Sequence, residues 1–107
     1  MDHEQFLARL ETVIAGRLGG DPDASYVARL HARGIGKIAQ KVGEEATETV
    51  IAALTGSDAE LTGEAADLIF HLLVLLGARG VPLEAVTAEL ARREGTSGLV
   101  EKASRRD

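Results

Sequence analysis

The chain contains no cysteine and no tryptophan, and only 2 phenylalanines, 1 tyrosine and 2 prolines among its 107 residues. The lack of cysteine excludes disulfides and thiolate metal sites. With so few aromatic side chains, platforms on which nucleic-acid bases stack are not expected. The 17 acidic residues outnumber the 12 basic ones, which gives a net charge of −5. This balance argues against nucleic acid as a partner, because general nucleic-acid binding needs a basic surface.

Long hydrophobic runs are also missing. The longest one, residues 68–76, is interrupted by His71 and is too short to span a bilayer. The first four residues, Met1 to Glu4, lack the basic segment and the apolar run of a signal peptide. We therefore expect a cytoplasmic protein without a membrane partner. The length predicts a single domain, small enough for contacts with a second copy to add stability.

The spacing of apolar residues predicts helices throughout and no strand. Asp2 and Gln5 are spaced to cap the first helix, and Ser57 and Glu60 form a capping-box signature for a later one. The predicted helices after the first lie at about 24–33, 37–54, 57–79 and 82–94. We expect an all-α fold of four to five helices in a single domain over residues 1–94, followed by a polar C-terminal tail over 95–107.

One stretch of the chain carries acids but no cations. Between Lys41 and Arg79 there is no lysine or arginine, yet seven acids fall there: Glu44, Glu45, Glu48, Asp58, Glu60, Glu64 and Asp67. The acids form the patterns EExxE and ExxD inside two apolar-rich helical segments. Closely packed carboxylates need a counter-charge, and a divalent metal is the simplest candidate. Metal held by carboxylates on helices is typical of phosphate chemistry.

Helical geometry brings these acids together. A tight turn near residues 56 and 57 would place Glu48 level with Glu64, and Glu45 level with Asp67. Two carboxylate pairs about one helical turn apart along the two helices suit a hard cation such as Mg²⁺. Asp58 and Glu60 are then interpreted as residues of the helix start.

Ordinary structural roles are the alternative for each of these residues. Glutamates on helices are usually solvated, and Lys41 could pair with Glu44 or Glu45 at helical spacing. Glu64 and Asp67 have no cation three or four residues away, so this alternative is weaker for them. Two further residues have structural alternatives that we favour: His71 as a buried, hydrogen-bonded core residue, and Tyr26 as a core or interface residue.

Three segments resemble the phosphoribosyl-ATP pyrophosphohydrolase family, the histidine-biosynthesis branch of the all-α nucleoside triphosphate pyrophosphohydrolases. They are KVGEEATE at 41–48, EAADL at 64–68 and HLLVLL at 71–76. Ser25-Tyr26 with Arg29-Leu30 also resembles an early motif of that family. The resemblance covers roughly residues 6–90. The EExxE and ExxD patterns are typical of the whole superfamily, whereas KVGEEATE and the Ser-Tyr segment favour the histidine branch.

The resemblance implies Mg²⁺-dependent hydrolysis of phosphoribosyl-ATP to phosphoribosyl-AMP and pyrophosphate, the second step of histidine biosynthesis. It also implies a helical homodimer, so that dimerisation completes the antiparallel helical bundle. The metal ligands carried over are Glu45, Glu48, Glu64 and Asp67. Catalytic roles fall on Glu44, Glu45 and Glu48, with Glu44 as an additional ligand or a base.

The same resemblance places Lys37 and Lys41 against phosphate oxygens. Ser25, Arg29 and Arg33 are further candidates for substrate contacts. Their alternatives are a helix start for Ser25 and solvated surface charges for the two arginines.

The chain departs from the family pattern without losing a carboxylate. The departures are Gln40 and Arg29 where lysine is common, Phe70 where tyrosine is common, and Gly63 where an acid often stands.

Three rival functions remain open from the sequence. The first is a house-cleaning pyrophosphohydrolase acting on dUTP or dCTP, and the second is a non-catalytic helical dimerisation module. The third, a di-iron carboxylate bundle, is disfavoured because that class needs Glu-x-x-His, which the chain lacks.

Overall fold

A computed structural model describes residues 2–94, and these residues form five α-helices. The helices are α1 (His3–Arg17), α2 (Tyr26–Ala32), α3 (Ile35–Thr55), α4 (Asp58–Ala78) and α5 (Leu83–Glu94). The described residues contain no strand, which confirms the all-α prediction. The predicted C-terminal tail, 95–107, lies outside the described residues, and the domain boundary at residue 94 stays a prediction.

The helix starts follow the signals read from the sequence. Asp2 caps α1 by accepting a hydrogen bond from the backbone N–H of Gln5, and the Gln5 side chain returns one to the backbone of Asp2. Ser57 and Glu60 form the same reciprocal arrangement at the start of α4. Both capping boxes predicted from the sequence are therefore confirmed.

The start of α3 differs from the prediction by two residues. The helix begins at Ile35 and not at Lys37, because Gly34 makes the turn with φ 93° and ψ 163°. This combination is open almost only to glycine, so Gly34 acts through its backbone and offers no capping side chain.

The dominant unit is a hairpin of α3 and α4, which pack along each other. Only Gly56 and Ser57 separate the two helices. Helix α1 packs on α4, and α2 packs on α3 and α1. The buried core side chains come from α1 to α4: Ile14, Val27, Leu30, Ile38, Leu73 and Val74. On the hairpin they lie near the end opposite the turn, so the core leaves the turn half of the hairpin uncovered.

Helix α4 is less enclosed than its sequence predicts. Its second half is apolar on all sides, which predicts a helix buried all round, but Ile69 is 46% exposed and Leu72 is 40% exposed. On α3, Val50, Ile51 and Leu54 are also exposed. The prediction of full burial is wrong for the described chain, because α1 and α3 cover only part of α4.

By length and composition, α4 is also the one helix within residues 2–94 that could cross a membrane. Core helices of soluble proteins meet the same criteria, and α4 contributes Leu73 and Val74 to the core.

Candidate metal centre

Three carboxylates meet between α3 and α4. One ligand oxygen from each of Glu45, Glu48 and Glu64 lies within 4.8 Å of the others. Glu45 and Glu48 are nearly one helical turn apart on α3, and Glu64 follows the turn on α4. Glu45 is buried, Glu64 is half-buried and Glu48 is exposed. The structure therefore brings together three of the four ligands predicted from the sequence.

Two oxygen atoms at this site are buried without a partner. Oε2 of Glu45 and Oε2 of Glu64 accept no hydrogen bond from the described residues and are shielded from solvent. Leaving such an atom unpaired costs about 1–3 kcal/mol, and more when the group is charged. A divalent cation between the carboxylates would offset this cost, since oxygen donors are what hard cations bind. The donor set therefore fits a metal ion.

Asp67 does not belong to this group of ligand atoms. It lies on α4 one turn after Glu64, and its side chain is exposed. The hairpin instead brings Glu64 to both acids of α3. Asp67 as a fourth ligand stays a prediction.

Lys41 forms ion pairs at helical spacing, as the structural alternative anticipates. Its Nζ lies 3.5 Å from Oε1 of Glu44 and 3.4 Å from Oε1 of Glu45. These pairs account for Glu44 and for one oxygen of Glu45, but they leave Oε2 of Glu45 unpaired. The ion pairs along α3 are therefore compatible with a metal ion between the two helices.

Two pKa shifts describe the charge balance on α3. The hydrogen bond that Gln40 donates to Oε2 of Glu44, 2.9 Å long, holds the pKa of Glu44 below its usual value. Lys41 and Lys37 lower that pKa further. Burial lowers the pKa of Lys41, but the hydrogen bond to Glu45 and the nearby Tyr26 and Glu44 raise it more, so the net shift is upward. Glu44 stays ionised and Lys41 stays protonated at neutral pH.

Gln40 thus contacts one of the predicted catalytic acids, Glu44, although the sequence showed it only as a departure from the family pattern. Its spacing of four residues before Glu44 on one helix was the signal available.

The predicted substrate-binding residues are spread over two helices. Lys37 and Lys41 lie on α3, close enough to Glu44 to lower its pKa. Ser25 caps α2, since its Oγ accepts a hydrogen bond from the backbone N–H of Ala28. Arg29 donates to the backbone carbonyl of Pro22, and Arg33 is the exposed residue that ends α2. Ser25 and Arg29 therefore have structural roles, and their contacts with the substrate stay predictions.

His71 confirms its predicted role as a buried, hydrogen-bonded core residue. It is 6% exposed, and its ring lies between the hydroxyl of Tyr26 and the backbone carbonyl of Asp67. Tyr26 is 44% exposed and Phe70 packs beside it, with ring centroids 6.4 Å apart. The link between Tyr26 and His71 was not foreseen, because no periodicity connects residues on different helices.

A groove opens beside the carboxylates at the turn end of the hairpin. Its volume is about 240 Å³, and it is lined by Glu48, Ile51, Ala52, Thr55, Gly56, Glu60 and Glu64. Two of the three clustered acids therefore face a space with an apolar side provided by α3.

Comparison with known proteins identifies the family of the chain. The family model for phosphoribosyl-ATP pyrophosphohydrolase matches residues 7–94. A phosphoribosyl-ATP pyrophosphatase of Novosphingobium aromaticivorans is 70% identical over 105 residues, covering 98% of both chains. That of Erythrobacter litoralis is 73% identical over 101 residues, covering 94% of this chain and 97% of its own. That of Trichlorobacter lovleyi is 54% identical over 105 residues, covering 98% and 97%. With its carboxylate centre and this match over most of its length, the chain belongs to the phosphoribosyl-ATP pyrophosphohydrolase family.

Proposed function

We propose that this protein is a Mg²⁺-dependent phosphoribosyl-ATP pyrophosphohydrolase that releases phosphoribosyl-AMP and pyrophosphate in histidine biosynthesis, in the cytoplasm. The observation that carries the metal-dependent chemistry is the pair of buried, unpartnered oxygens of Glu45 and Glu64 beside Glu48. The names of the relatives support the substrate.

The acidic residues have two roles in this proposal: four of them would bind the cation, and Glu44 orients a lysine that would contact the substrate. Glu45, Glu48 and Glu64, joined by Asp67, would hold Mg²⁺, which when bound would supply positive charge to the phosphates. In the hydrolysis, the oxygen of a water molecule bonds to one phosphorus of the bridge between the α- and β-phosphates, the bridging P–O bond to that phosphorus breaks, and a water proton passes to the departing phosphate or to solvent. Of the three acids predicted to be catalytic, Glu45 and Glu48 belong to the cluster that would hold the cation. Glu44 orients Lys41 through their ion pair.

The basic residues bind the phosphate chain. Lys41 stays protonated because its neighbours raise its pKa, and Lys37 lies on the same side of α3, close to Glu44. Protonated lysines suit phosphate oxygens as point charges. Ser25, Arg29 and Arg33 on or next to α2 are additional candidates for contacts with the substrate.

The size of the groove supports a homodimer. Sites for ligands of drug size occupy roughly 300–1,000 Å³, whereas the groove beside the carboxylates measures about 240 Å³. One chain therefore encloses only part of a substrate that carries a triphosphate, a base and two sugars. The exposed apolar residues of the hairpin, Val50, Ile51, Leu54, Ile69 and Leu72, form a surface that a second copy would cover.

The dimer is tested with Leu54→Glu, because Leu54 is 79% exposed. Light scattering after size exclusion should show a dimer for the wild type and a monomer for the variant. Leu90→Glu on α5, where the leucine is 58% exposed, should remain dimeric. A monomeric wild type, or a Leu54→Glu dimer of unchanged affinity, contradicts this interface.

Substrate assays separate the proposed function from its rivals. The purified protein is given phosphoribosyl-ATP, dUTP or dCTP, with Mg²⁺ or with a chelator, and pyrophosphate is measured. We expect release from phosphoribosyl-ATP with Mg²⁺ only, and at least about 100-fold lower kcat/KM for the others, a difference of roughly 3 kcal/mol. Preference for dUTP or dCTP would establish the house-cleaning activity. No release from any substrate, with no effect of Mg²⁺ on the melting temperature, would leave the dimerisation module.

A further inference from the structure

One hydrogen bond joins α2 to the middle of α4. The Oη of Tyr26, the first residue of α2, lies 2.8 Å from Nε2 of His71. His71 is buried, whereas the Tyr26 ring reaches the surface. The partners are 45 positions apart in sequence, so the bond fixes the relative placement of two separate helices.

Which partner donates in this hydrogen bond follows from the contact that the other nitrogen of the His71 ring makes. Nδ1 of His71 lies 2.7 Å from the backbone carbonyl oxygen of Asp67. A carbonyl oxygen only accepts, so Nδ1 carries the proton. Nε2 of the neutral ring then has a free lone pair and accepts from the Tyr26 hydroxyl. Tyr26 therefore donates to His71, and His71 donates to the backbone at Asp67.

His71 lies on the side of α4 that carries the acids. Glu64 precedes it by seven residues, or about two helical turns, and Asp67 precedes it by one turn. A fixed His71 ring therefore limits rotation of α4 about its own axis. That rotation decides whether the Glu64 carboxylate reaches Glu45 and Glu48, with which it forms the cluster.

We propose that Tyr26 is a positioning residue for the divalent-cation site, which it orders by holding His71 and with it the rotation of α4. This rests on the proposed function, in which the cluster of Glu45, Glu48 and Glu64 binds Mg²⁺. Tyr26 itself touches neither the cation nor the phosphates in this role.

The hydrogen bond between Tyr26 and His71 can be removed by a substitution that keeps the aromatic ring at position 26 in contact with its neighbours. Tyr26 packs near Phe70, and Phe70 meets the His71 ring edge-on with centroids 5.4 Å apart. Tyr26→Phe keeps these contacts and loses only the donor. His71→Asn keeps a donor in the position of Nδ1 but no acceptor for Tyr26. His71→Gln keeps an acceptor in the position of Nε2, so it should restore part of the function.

The experiment measures Mg²⁺ binding to the full chain by isothermal titration calorimetry. In parallel it measures the melting temperature without Mg²⁺, and kcat and KM for phosphoribosyl-ATP. We expect Tyr26→Phe and His71→Asn each to weaken Mg²⁺ binding about tenfold, in the range seen when groups that orient metal ligands are removed. KM at saturating Mg²⁺ should stay within about twofold, because the substrate-binding groups remain. His71→Gln should lie between the wild type and His71→Asn.

Glu11→Ala is the control for lost stability. It removes the hydrogen bond between Glu11 on α1 and the start of α5, which lies on helices that do not carry the cluster. It should lower the melting temperature and leave Mg²⁺ affinity unchanged. The double variant Tyr26→Phe with His71→Asn should bind Mg²⁺ no more weakly than either single variant, because both remove the same bond.

The outcomes separate the two proposals. If the wild type binds Mg²⁺ and Tyr26→Phe binds it equally well, Tyr26 only packs against α4 and the positioning role is wrong. The same conclusion follows if Mg²⁺ affinity falls in Glu11→Ala as much as in Tyr26→Phe. If the wild type binds no Mg²⁺, the metal centre itself is wrong, and the positioning role fails with it.

Discussion

The carboxylate of Glu11 on α1 accepts a hydrogen bond of 2.6 Å from the backbone N–H of Leu83, the first residue of α5. A side chain 72 positions away therefore caps this helix, a role that Ser, Thr, Asp or Asn usually fills from the preceding position. Leu83 itself packs against the core, so the bond and this contact together hold the start of α5 against the bundle.

Glu11→Ala should lower the free energy of unfolding by about 1–2 kcal/mol, the usual cost of losing an N-cap. Glu4→Ala, at an exposed position about two turns earlier on the same helix, should change it by at most a few tenths of a kcal/mol. Urea unfolding followed by circular dichroism measures both. Equal effects of the two substitutions would show that the contact with Leu83 adds nothing to stability.

Glu64→Gln should stabilise the protein without Mg²⁺ while removing its response to Mg²⁺. The substitution deletes one of several like charges and gives the buried Oε2 position an amide that can donate to Glu45 or Glu48. We expect the metal-free protein to gain about 1 kcal/mol, or roughly 4–8 °C in melting temperature. Added Mg²⁺ should raise the melting temperature of the wild type but not of the variant.

Asp58→Asn is the matched control for that experiment, since Asp58 begins α4 but lies outside the carboxylate cluster. It should keep the wild-type response to Mg²⁺. If Glu64→Gln still responds to Mg²⁺ as strongly as the wild type, Glu64 is not a ligand.

Glu48→Gln and Asp67→Asn should each lower turnover at least about tenfold at saturating Mg²⁺, a loss of roughly 1.4 kcal/mol in transition-state stabilisation. For Glu48 the reason is its place in the cluster. For Asp67, whose side chain is exposed, the prediction requires that it turn toward the cation when Mg²⁺ binds. Steady-state assays of pyrophosphate release measure the turnover of both variants. Wild-type activity in Asp67→Asn alone would reduce the ligand set to three acids.

Gly34→Ala should destabilise the protein by about 1–3 kcal/mol, because its φ of 93° is strained for any residue with a Cβ. Gly36→Ala, two residues later in the first turn of α3, should be neutral or stabilising by up to about 1 kcal/mol. A Cβ at Gly36 would meet no atom within 4 Å. Thermal unfolding of the pair tests whether the backbone at Gly34 sets the start of α3.

The acid titration of Glu89 should be displaced downward. Arg92 and Arg93 lower its pKa through hydrogen bonds and charge, with Arg92 giving the largest effect. A lowered folded-state pKa adds stability above the unfolded-state value and loses it as the pH falls through the folded-state value. Carboxyl NMR titration should place the midpoint of Glu89 below the usual value of a glutamate, and Arg92→Gln should raise it. A midpoint unaffected by Arg92→Gln would contradict the ion pair.

Elements governed by local chemistry were predictable from the sequence. The capping residues Asp2 and Ser57 and the apolar spacing predict the starts of all five helices to within two residues, because these signals act over one or two turns. Glu45, Glu48 and Glu64 were predictable as neighbours because only two residues join α3 to α4. When the turn of a helical hairpin is short, residues that are equally far from the turn in sequence lie opposite each other in space.

Long-range relationships were not predictable. The bond of Tyr26 to His71, the cap that Glu11 provides for α5 and the exposure of Leu72 depend on how α1 and α2 dock against the hairpin. Nothing in the local sequence encodes that placement. The exposure of Asp67 depends likewise on the rotation of α4 about its axis. A helical wheel drawn from the sequence gives no information on that rotation.

The two-residue turn at Gly56 and Ser57 has a consequence for the order in which the protein folds. Contacts between α3 and α4 have short sequence separations near the turn, and such contacts form early because they close small loops. We therefore expect the carboxylates to come together in the folding transition state, before α1 and α2 dock. Mg²⁺ that binds at that stage would lower the barrier to folding, so the cation should speed refolding and change the rate of unfolding little.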